Sequence, residues 1–424
     1  MVPTGRVRWA LIAWLFVLSA VAYLDRVNIS IAGKLIAAEY GFTNQQLGWV
    51  FSSFVLGYAL FQAPSGRVAD RFGARRALTW AAIWWAAFSA LSASLPAVPA
   101  ILPLLMVVRF ALGAGESIVY PASNRIVSRW IPGPERGLAN GLIFMGVGVG
   151  AGITPPLITA VMLRYGWRAS FMVCALIGLA AGAVWLVISR DRPDEHPWVS
   201  EPERALIQAG LPAAVSSPPL PWRVIGTNRN VHLLTLSYFC YGYSAYIFFT
   251  WFFIYLNTVR GLDLKISAVY SMLPFLAMAV GSGVGGLLSD RLSARYGLRV
   301  GRCGLAAVGI GLAAIFIAAG TQVESARLAT FILAGGAGSL YLAQSSFWSV
   351  SADIAGSSAG AVSGVMNMGA QLGGVVTASL TPWVADRFGW TGSFLVAAGL
   401  CVAGALAWLG VRPDEPVAGP LDEG

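Results

Sequence analysis

Residues 66–76 read GRVADRFGARR, and residues 286–291 read GLLSDR. Each stretch sets a glycine four residues before an Asp-Arg pair, and Asp70 and Asp290 lie 220 positions apart. Two further matches flank them. Arg-Tyr-Gly-Trp at 164–167, followed by Ser170-Phe171, returns as Arg-Phe-Gly-Trp at 387–390, followed by Ser393-Phe394, at an offset of 223. Gly141 and Met145-Gly146 return as Gly364 and Met368-Gly369 at the same offset. Three separate matches at nearly one spacing mean that one unit is written twice along the chain.

That unit is built for a bilayer. The 424 residues are 57% hydrophobic and only 11% charged, whereas a soluble domain carries about 25% charged residues. So few charges cannot furnish a water-facing surface, which excludes an ordinary soluble enzyme, a nucleic-acid binder and a disordered chain. A span needs roughly 20 apolar residues. Twelve such segments are expected, near 9–31, 46–66, 77–95, 100–122, 137–162, 167–189, 231–256, 266–288, 301–320, 326–349, 359–384 and 391–411. The fold class is therefore an all-α polytopic membrane protein of twelve transmembrane helices in two six-helix bundles. The expected organisation is an N-terminal bundle at 1–190, a Pro- and charge-rich central loop at 191–229, a C-terminal bundle at 230–412 and a tail at 413–424.

Charge placement sets the expected orientation. With the N-terminus in the cytoplasm, 19 of the 28 Lys and Arg residues fall on the cytoplasmic side and 7 on the other, leaving Arg26 and Arg109 inside spans. Both termini are then cytoplasmic. The net charge of +9 is accounted for by this asymmetry, so no nucleic-acid partner is implied. The four cysteines lie in apolar runs without ligand spacing, and the two histidines sit in or beside one loop; neither a metal nor a cofactor is expected. Parallel repeats of six spans mark transporters that bind substrate between halves and rock around it.

Ionisable groups deep in a span are costly and functional by default. Four qualify: Asp25 and Arg26 in span 1, Arg109 and Glu116 in span 4. Adjacent helical residues diverge by about 100°, so Asp25 and Arg26 face different neighbours. Arg109 and Glu116 are two turns apart on one face, about 10.5 Å along the axis. The structural alternative is a pair of ion pairs that merely lock spans 1 and 4 together. The second half offers only neutral candidates: Tyr241, Tyr243 and Tyr246 in span 7, Gln344, Ser345 and Ser346 in span 10, and Asn367 and Gln371, which share a face of span 11. Such groups suit neutral hydrogen bonding to hydroxyls.

The loop Gly66-x-x-x-Asp70-Arg71-x-Gly73-x-Arg75-Arg76, with its degenerate copy at Asp290-Arg291, resembles the signature loop of the major facilitator superfamily. The resemblance covers the whole chain, although the second copy loses its spacing after Arg291. It implies a conformational latch made by these residues, in which Asp70 and the arginines bond helix ends and the neighbouring bundle in one conformer only. Locally, Tyr23-Leu-Asp-Arg-Val-Asn-Ile-Ser30 and the run from Arg109 through Gly-Ala-Gly-Glu116 to Pro121 resemble the anion:cation symporters of that superfamily. Gln344-Ser-Ser-Phe-Trp-Ser349 and Asn367-Met-Gly-Ala-Gln371 are similar to its spans 10 and 11.

The resemblance implies a carrier of organic anions such as hexuronate, glucarate or galactonate. It implies that Arg26 and Arg109 bind or gate a carboxylate, that Asp25 and Glu116 couple to protons, and that Tyr23, Tyr58 and Asn367 line the site, with Tyr243, Ser345 and Gln371 as further candidates. The expected function is proton-coupled import of a sugar acid by a monomer in a bacterial inner membrane, the last from 26 arginines against 2 lysines. The rival readings are a proton-coupled antiporter exporting drugs or other small molecules, and a symporter of aromatic or dicarboxylic acids. Span 5 reads GVGVGAGITPP at 146–156, without the Gly-Pro pair usual in the drug antiporters. Gly281-x-Gly283-x-x-Gly286 has nucleotide-fingerprint spacing but lies within span 8, where close helix packing is its reading. A membrane enzyme would need a nucleophile with a base, or a metal cluster, and the sequence offers neither.

If loop 66–76 is a latch, Asp70→Asn leaves substrate affinity nearly intact and slows transport by shifting the balance of conformers. Equilibrium binding beside exchange rate in proteoliposomes checks this; a tenfold weaker affinity with unchanged exchange removes the latch assignment.

Overall fold

The computed structural model describes residues 6–132, 136–210, 220–355 and 359–417. Among these residues all regular structure is helical. Nine helices are long and apolar enough to cross a membrane, and a tenth span is a pair bent by 49° at Trp251. Two features make this count consistent with the twelve expected. The last helix runs from Ala359 to Leu409 but is broken at Gly389, whose φ of 74° and ψ of 166° are not helical, so it holds two spans. The second helix, Asn44–Phe72, has the length, but polar residues such as Gln45, Gln46, Gln62 and Ser65 dilute its apolarity.

The chain forms two compact units, one of Met1–Tyr40 and Leu56–Val215, the other of Gly41–Val55 and Ser216–Gly424. The first holds α1 (Val7–Tyr40), the C-terminal part of α2 (Asn44–Phe72), α3 (Ala74–Ser94), α4 (Ile101–Glu116), α5 (Val119–Trp130), α6 (Arg136–Tyr165), α7 (Trp167–Ile188) and α8 (Glu201–Gly210). The second holds the start of α2 with α9 (Trp222–Thr227), α10 (Arg229–Thr250), α11 (Phe252–Thr258), α12 (Leu264–Tyr296), α13 (Leu305–Gln322), α14 (Ala326–Leu342), α15 (Gln344–Ala355) and α16 (Ala359–Leu409).

The duplication read in the sequence has a backbone cause. Gly73, Gly166, Gly297 and Gly389 all have φ between 74° and 83°, a conformation open to glycine and strained for other residues. They form the turns that end α2, α6 and α12 and that break α16. Gly166 and Gly389 are the glycines of the two Arg-aromatic-Gly-Trp strings. Packing repeats as well. A Cβ on Gly146 or Gly150 of α6 would lie 2.5 and 2.2 Å from the Phe16 and Ala20 carbonyl oxygens of α1. Their counterparts Gly369 and Gly373 of α16 come equally close to the Thr235 and Phe239 carbonyls of α10, at 2.6 and 2.3 Å. Small residues one turn apart let helix backbones touch. Because Phe239 is the repeat partner of Phe16, the second pair is shifted by one helical turn. In α12 the close contacts fall on Gly281 and Gly285, against the Gly338 and Leu342 carbonyls of α14.

The stretch after α7 folds back under the first unit. Glu203 of α8 is fully buried. It accepts the backbone N–H groups of Val7 and Arg8, at 3.3 and 3.1 Å, and pairs with the Arg8 guanidinium at 3.4 Å. Its carboxylate thus caps the otherwise unsatisfied N-terminus of α1. After α16 the second unit has an analogous strap: Asn230 bonds the Arg412 N–H and the Arg412 and Glu415 carbonyls, and Val417 N–H donates to the Ile354 carbonyl at 2.7 Å. The straps share the string Arg-Pro-Asp-Glu, at 192–195 and 412–415, again 220 apart.

Removing one partner of a buried ion pair costs about 3–5 kcal/mol. Glu203→Ala is therefore expected to lower the melting temperature of the purified protein by several degrees, and Glu201→Ala, whose side chain is exposed, to leave it unchanged. Equal melting of the two variants would remove Glu203 as a cap.

Candidate functional site

Two adjoining faces of α1 organise the first unit. On one face the Arg26 guanidinium lies 4.6 Å from the Tyr23 ring and 4.4 Å from the Tyr58 ring. It donates to Glu116 Oε2 at 3.2 Å and to the Tyr23 hydroxyl at 3.3 Å. Arg26, Tyr58 and Glu116 are buried, Glu116 completely. Glu116 is the sixteenth and last residue of α4. There the helical bonding loosens over Ser117 and Ile118, which keep helical φ/ψ, and the span runs on to Val127. The Ser117 N–H returns to the Gly113 carbonyl and its hydroxyl to the Ala114 carbonyl before α5 begins at Val119. The second unit loosens at the matching place, at Ala343 between α14 and α15.

On the neighbouring face, Asp25 is 2% exposed. The Ser89 hydroxyl of α3 donates to its Oδ1, and its carboxyl also lies within hydrogen-bonding reach of the Glu116 carboxyl. Arg109, 1% exposed, feels Asp25 as its strongest opposite charge and Glu116 as its second. One turn beyond Asp25, Asn28 accepts from Ser170 of α7 at 2.8 Å. The four deep charges thus form one cluster, in which Arg26 is ion-paired with Glu116 and Arg109 lies within electrostatic reach of Asp25 and Glu116, and the cluster is neutral overall when all four are ionised. Each arginine already has a carboxylate, so an added anion gains an arginine fully only when a carboxylate is neutralised.

Sequence reasoning named these six residues and missed their supports. Ser89 carries no signal by itself. Tyr120, which stacks on Phe144 at 5.1 Å and shares a hydrogen bond with Ser19, was hidden inside the Ile-Val-Tyr-Pro string.

In the second unit the candidates part company. Tyr243 is fully buried, and its hydroxyl faces Thr377 and Thr381 of α16. Tyr246, one turn on, donates to Gln371 Oε1 at 2.7 Å. Ser345 is half-buried with an unpartnered Oγ, while its neighbour Gln344 donates to the Tyr238 hydroxyl at 3.0 Å. Asn367 is half-buried one turn before Gln371 on α16.

Of the signature-loop residues, Gly66 and Asp70 have places in α2, but their surroundings lie outside the described residues. Arg75 of α3 holds the Leu186 carbonyl of α7 with two donors, at 2.8 and 3.0 Å. Its own N–H donates to Asp191 at 3.2 Å. Asp191 also occupies the space a side chain at Gly73 would need. Arg71 and Arg76 are exposed, as are Asp290 and Arg291. In the second unit Arg302 is ion-paired with Asp353 of α15.

Duplicated helical units of membrane-spanning length and a buried charge cluster define a membrane carrier. Residues 15–377 match the model of the Major Facilitator Superfamily, and the chain belongs to that family. It is a multi-pass integral membrane transporter and not an enzyme. It is 36% identical over 407 residues, 94% of this chain and 93% of the relative, to a probable sulfoacetate transporter, SauU, of Cupriavidus necator. It is 29% identical over 416 residues to the hexuronate transporter of Bacillus subtilis, covering 96% and 95% of the two chains. A bacterial homologue of the human lysosomal transporter Spinster, solved facing inward, superposes with a TM-score of 0.75 over 97% of this chain and 98% of its own at 17% identity; this shows the fold alone.

A lysine at position 26 keeps the charge but loses the planar guanidinium that lies over both tyrosine rings and the fork that binds a carboxylate. Arg26→Lys is expected to weaken anion binding at least tenfold, and Arg109→Lys to fail likewise. Binding isotherms of purified variants check this, and wild-type affinity in either variant would exclude that arginine's guanidinium geometry from the site.

Proposed function

We propose that the protein imports an organic anion, a sugar acid of the hexuronate, aldarate or aldonate kind, in symport with protons by alternating access. The observation that carries this reading is the fully buried Glu116 paired with an Arg26 that two tyrosines enclose. A guanidinium so placed is a carboxylate site, and the acid on it must let go before a substrate can take its place. Protonating Glu116 removes the competitor. Protonating Asp25 does the same for Arg109. The printed names of relatives support an anionic cargo, since they include transporters of sulfoacetate and hexuronate and of galactarate and D-glucarate.

In this cycle Arg26 and Arg109 hold the carboxylate, and Tyr23, Tyr58, Asn367 and Gln371 line the site. The loop of Asp70, Arg71, Arg75 and Arg76 is the latch. Each charge moved across the potential is worth about 2.3 kcal/mol per 100 mV. Drawing a monoanion inward on the potential therefore takes more than one proton, and the two buried acids supply two sites. The proposal includes a monomer in a bacterial inner membrane with both termini inside. Its bundles are 1–190 and 230–412, joined by the loop 191–229 and followed by a cytoplasmic tail from 413.

Asp25→Asn is expected to lose accumulation driven by external acidification while still binding substrate. Glu116→Gln is expected to be at least partly uncoupled and still to exchange substrate. Acid-driven uptake beside counterflow in proteoliposomes measures both. If both variants concentrate substrate with the wild-type dependence on external pH, neither carboxylate carries the coupling proton, and the ion pairs are structural.

A further inference from the structure

The offset of 223 that relates the two halves carries span 1 onto span 7. Tyr23 maps to Tyr246, Asp25 to Phe248 and Arg26 to Phe249. The tyrosine is kept and both charges become phenylalanines. In the second unit Phe249 stacks on Phe275 at 5.1 Å and 22°, and Tyr246 meets Phe249 at 5.8 Å. The Tyr246 ring lies against Gly374 of α16, where a Cβ would come within 2.6 Å of it. From that seat its hydroxyl donates to Gln371 Oε1 at 2.7 Å. Tyr246 is 7% exposed and Gln371 9%. With Oε1 engaged, the Gln371 amide is fixed so that its two N–H donors point away from the tyrosine, and they make no hydrogen bond among the described residues.

We propose that Gln371 is the group of the second unit that reads an uncharged oxygen of the cargo, a sugar hydroxyl, and that Tyr246 is the positioning residue that aims it. The inference rests on the organic-anion reading above and narrows it. Spans 7–12 contain no deep cation, so a second full charge set there would be desolvated without compensation. The cargo is then a monoanionic polyhydroxy acid. A buried amide left without its hydroxyl partner is what gives such a site its discrimination against the deoxy analogue.

Competition binding to the purified full chain tests this with D-galacturonate, hexanoate and sulfoacetate as probes. The first two carry one carboxylate each, with and without hydroxyls; the third carries two charges and no hydroxyl. The wild type is expected to prefer galacturonate over hexanoate by at least tenfold. Y246F removes only the hydroxyl that aims the amide, and Q371L removes the amide. Each is expected to lower that ratio by about tenfold, the size of one hydrogen bond, with Q371N restoring part of it. A ratio unchanged in both variants overturns the proposal. So does a wild type that binds hexanoate as well as galacturonate, or sulfoacetate more tightly than either; these outcomes leave anion transport standing. A wild type that binds none of the three overturns the organic-anion reading and this inference with it.

Discussion

The ion pair between Arg26 and Glu116 is the constraint around which the first unit is arranged. Two charges withdrawn from water are tolerated only when geometry and neighbours compensate them. Here the compensation is specific: two tyrosine rings against the guanidinium, and a second arginine and a second acid close enough to be felt by the first pair. Replacing the pair by apolar residues of similar volume would be a cheaper way to hold α1 against α4. That the costly arrangement is present is an argument for use. The neutral sum of the cluster is itself informative. An excess arginine would favour trapping an anion, and an excess acid would favour rejecting it. A balanced set is poised, and on the proton-coupled reading proposed above one or two protons would decide which state prevails.

The two halves show what duplication preserves. Backbone devices persist: the left-handed glycines at the turns, the close glycine contacts between the first and fifth spans of each half, and the loosening in the fourth span. These are set by helix packing, which has few solutions. The chemistry does not persist. Asp25, Arg26, Arg109 and Glu116 have no charged counterparts at the offset of 223.

Much of this was legible in the sequence because a charge in an apolar run is conspicuous and because a repeat fixes its own register. The spans, the duplication and the four deep charges needed no coordinates. Choosing among Tyr241, Tyr243 and Tyr246 did. Positions 243 and 246 differ by only about 60° around a helix, and which of them meets Gln371 depends on how α10 sits on α16. That packing is shifted by one turn from the first half, so analogy alone was unsafe, although carrying Tyr23 forward by 223 does land on Tyr246. Ser89 and Asn28 were illegible for another reason: a serine or asparagine in a span more often satisfies its own helix, as Ser92 does with the Phe88 carbonyl. The Arg-Pro-Asp-Glu repeat was readable and went unread because it lies outside the spans.

The signature loop gains a concrete physical task from its surroundings. Gly73 must be glycine twice over, for its φ of 83° and because the Asp191 carboxylate fills the place of a side chain. Asp191 and Arg75 then tie the start of α3 to the end of α7 by a carboxylate on a helix N-terminus and a guanidinium on a helix C-terminus, each matched to the helix dipole it meets. The second unit lacks this spacing after Arg291, and there a π-helical turn at Arg299–Gly304 and the Arg302–Asp353 pair tie the corresponding end to α15. Both solutions brace span ends within one unit. A carrier that moves its halves as bodies needs each to be stiff, and joints of charge on helix ends supply stiffness without adding apolar surface where the chain leaves the bilayer.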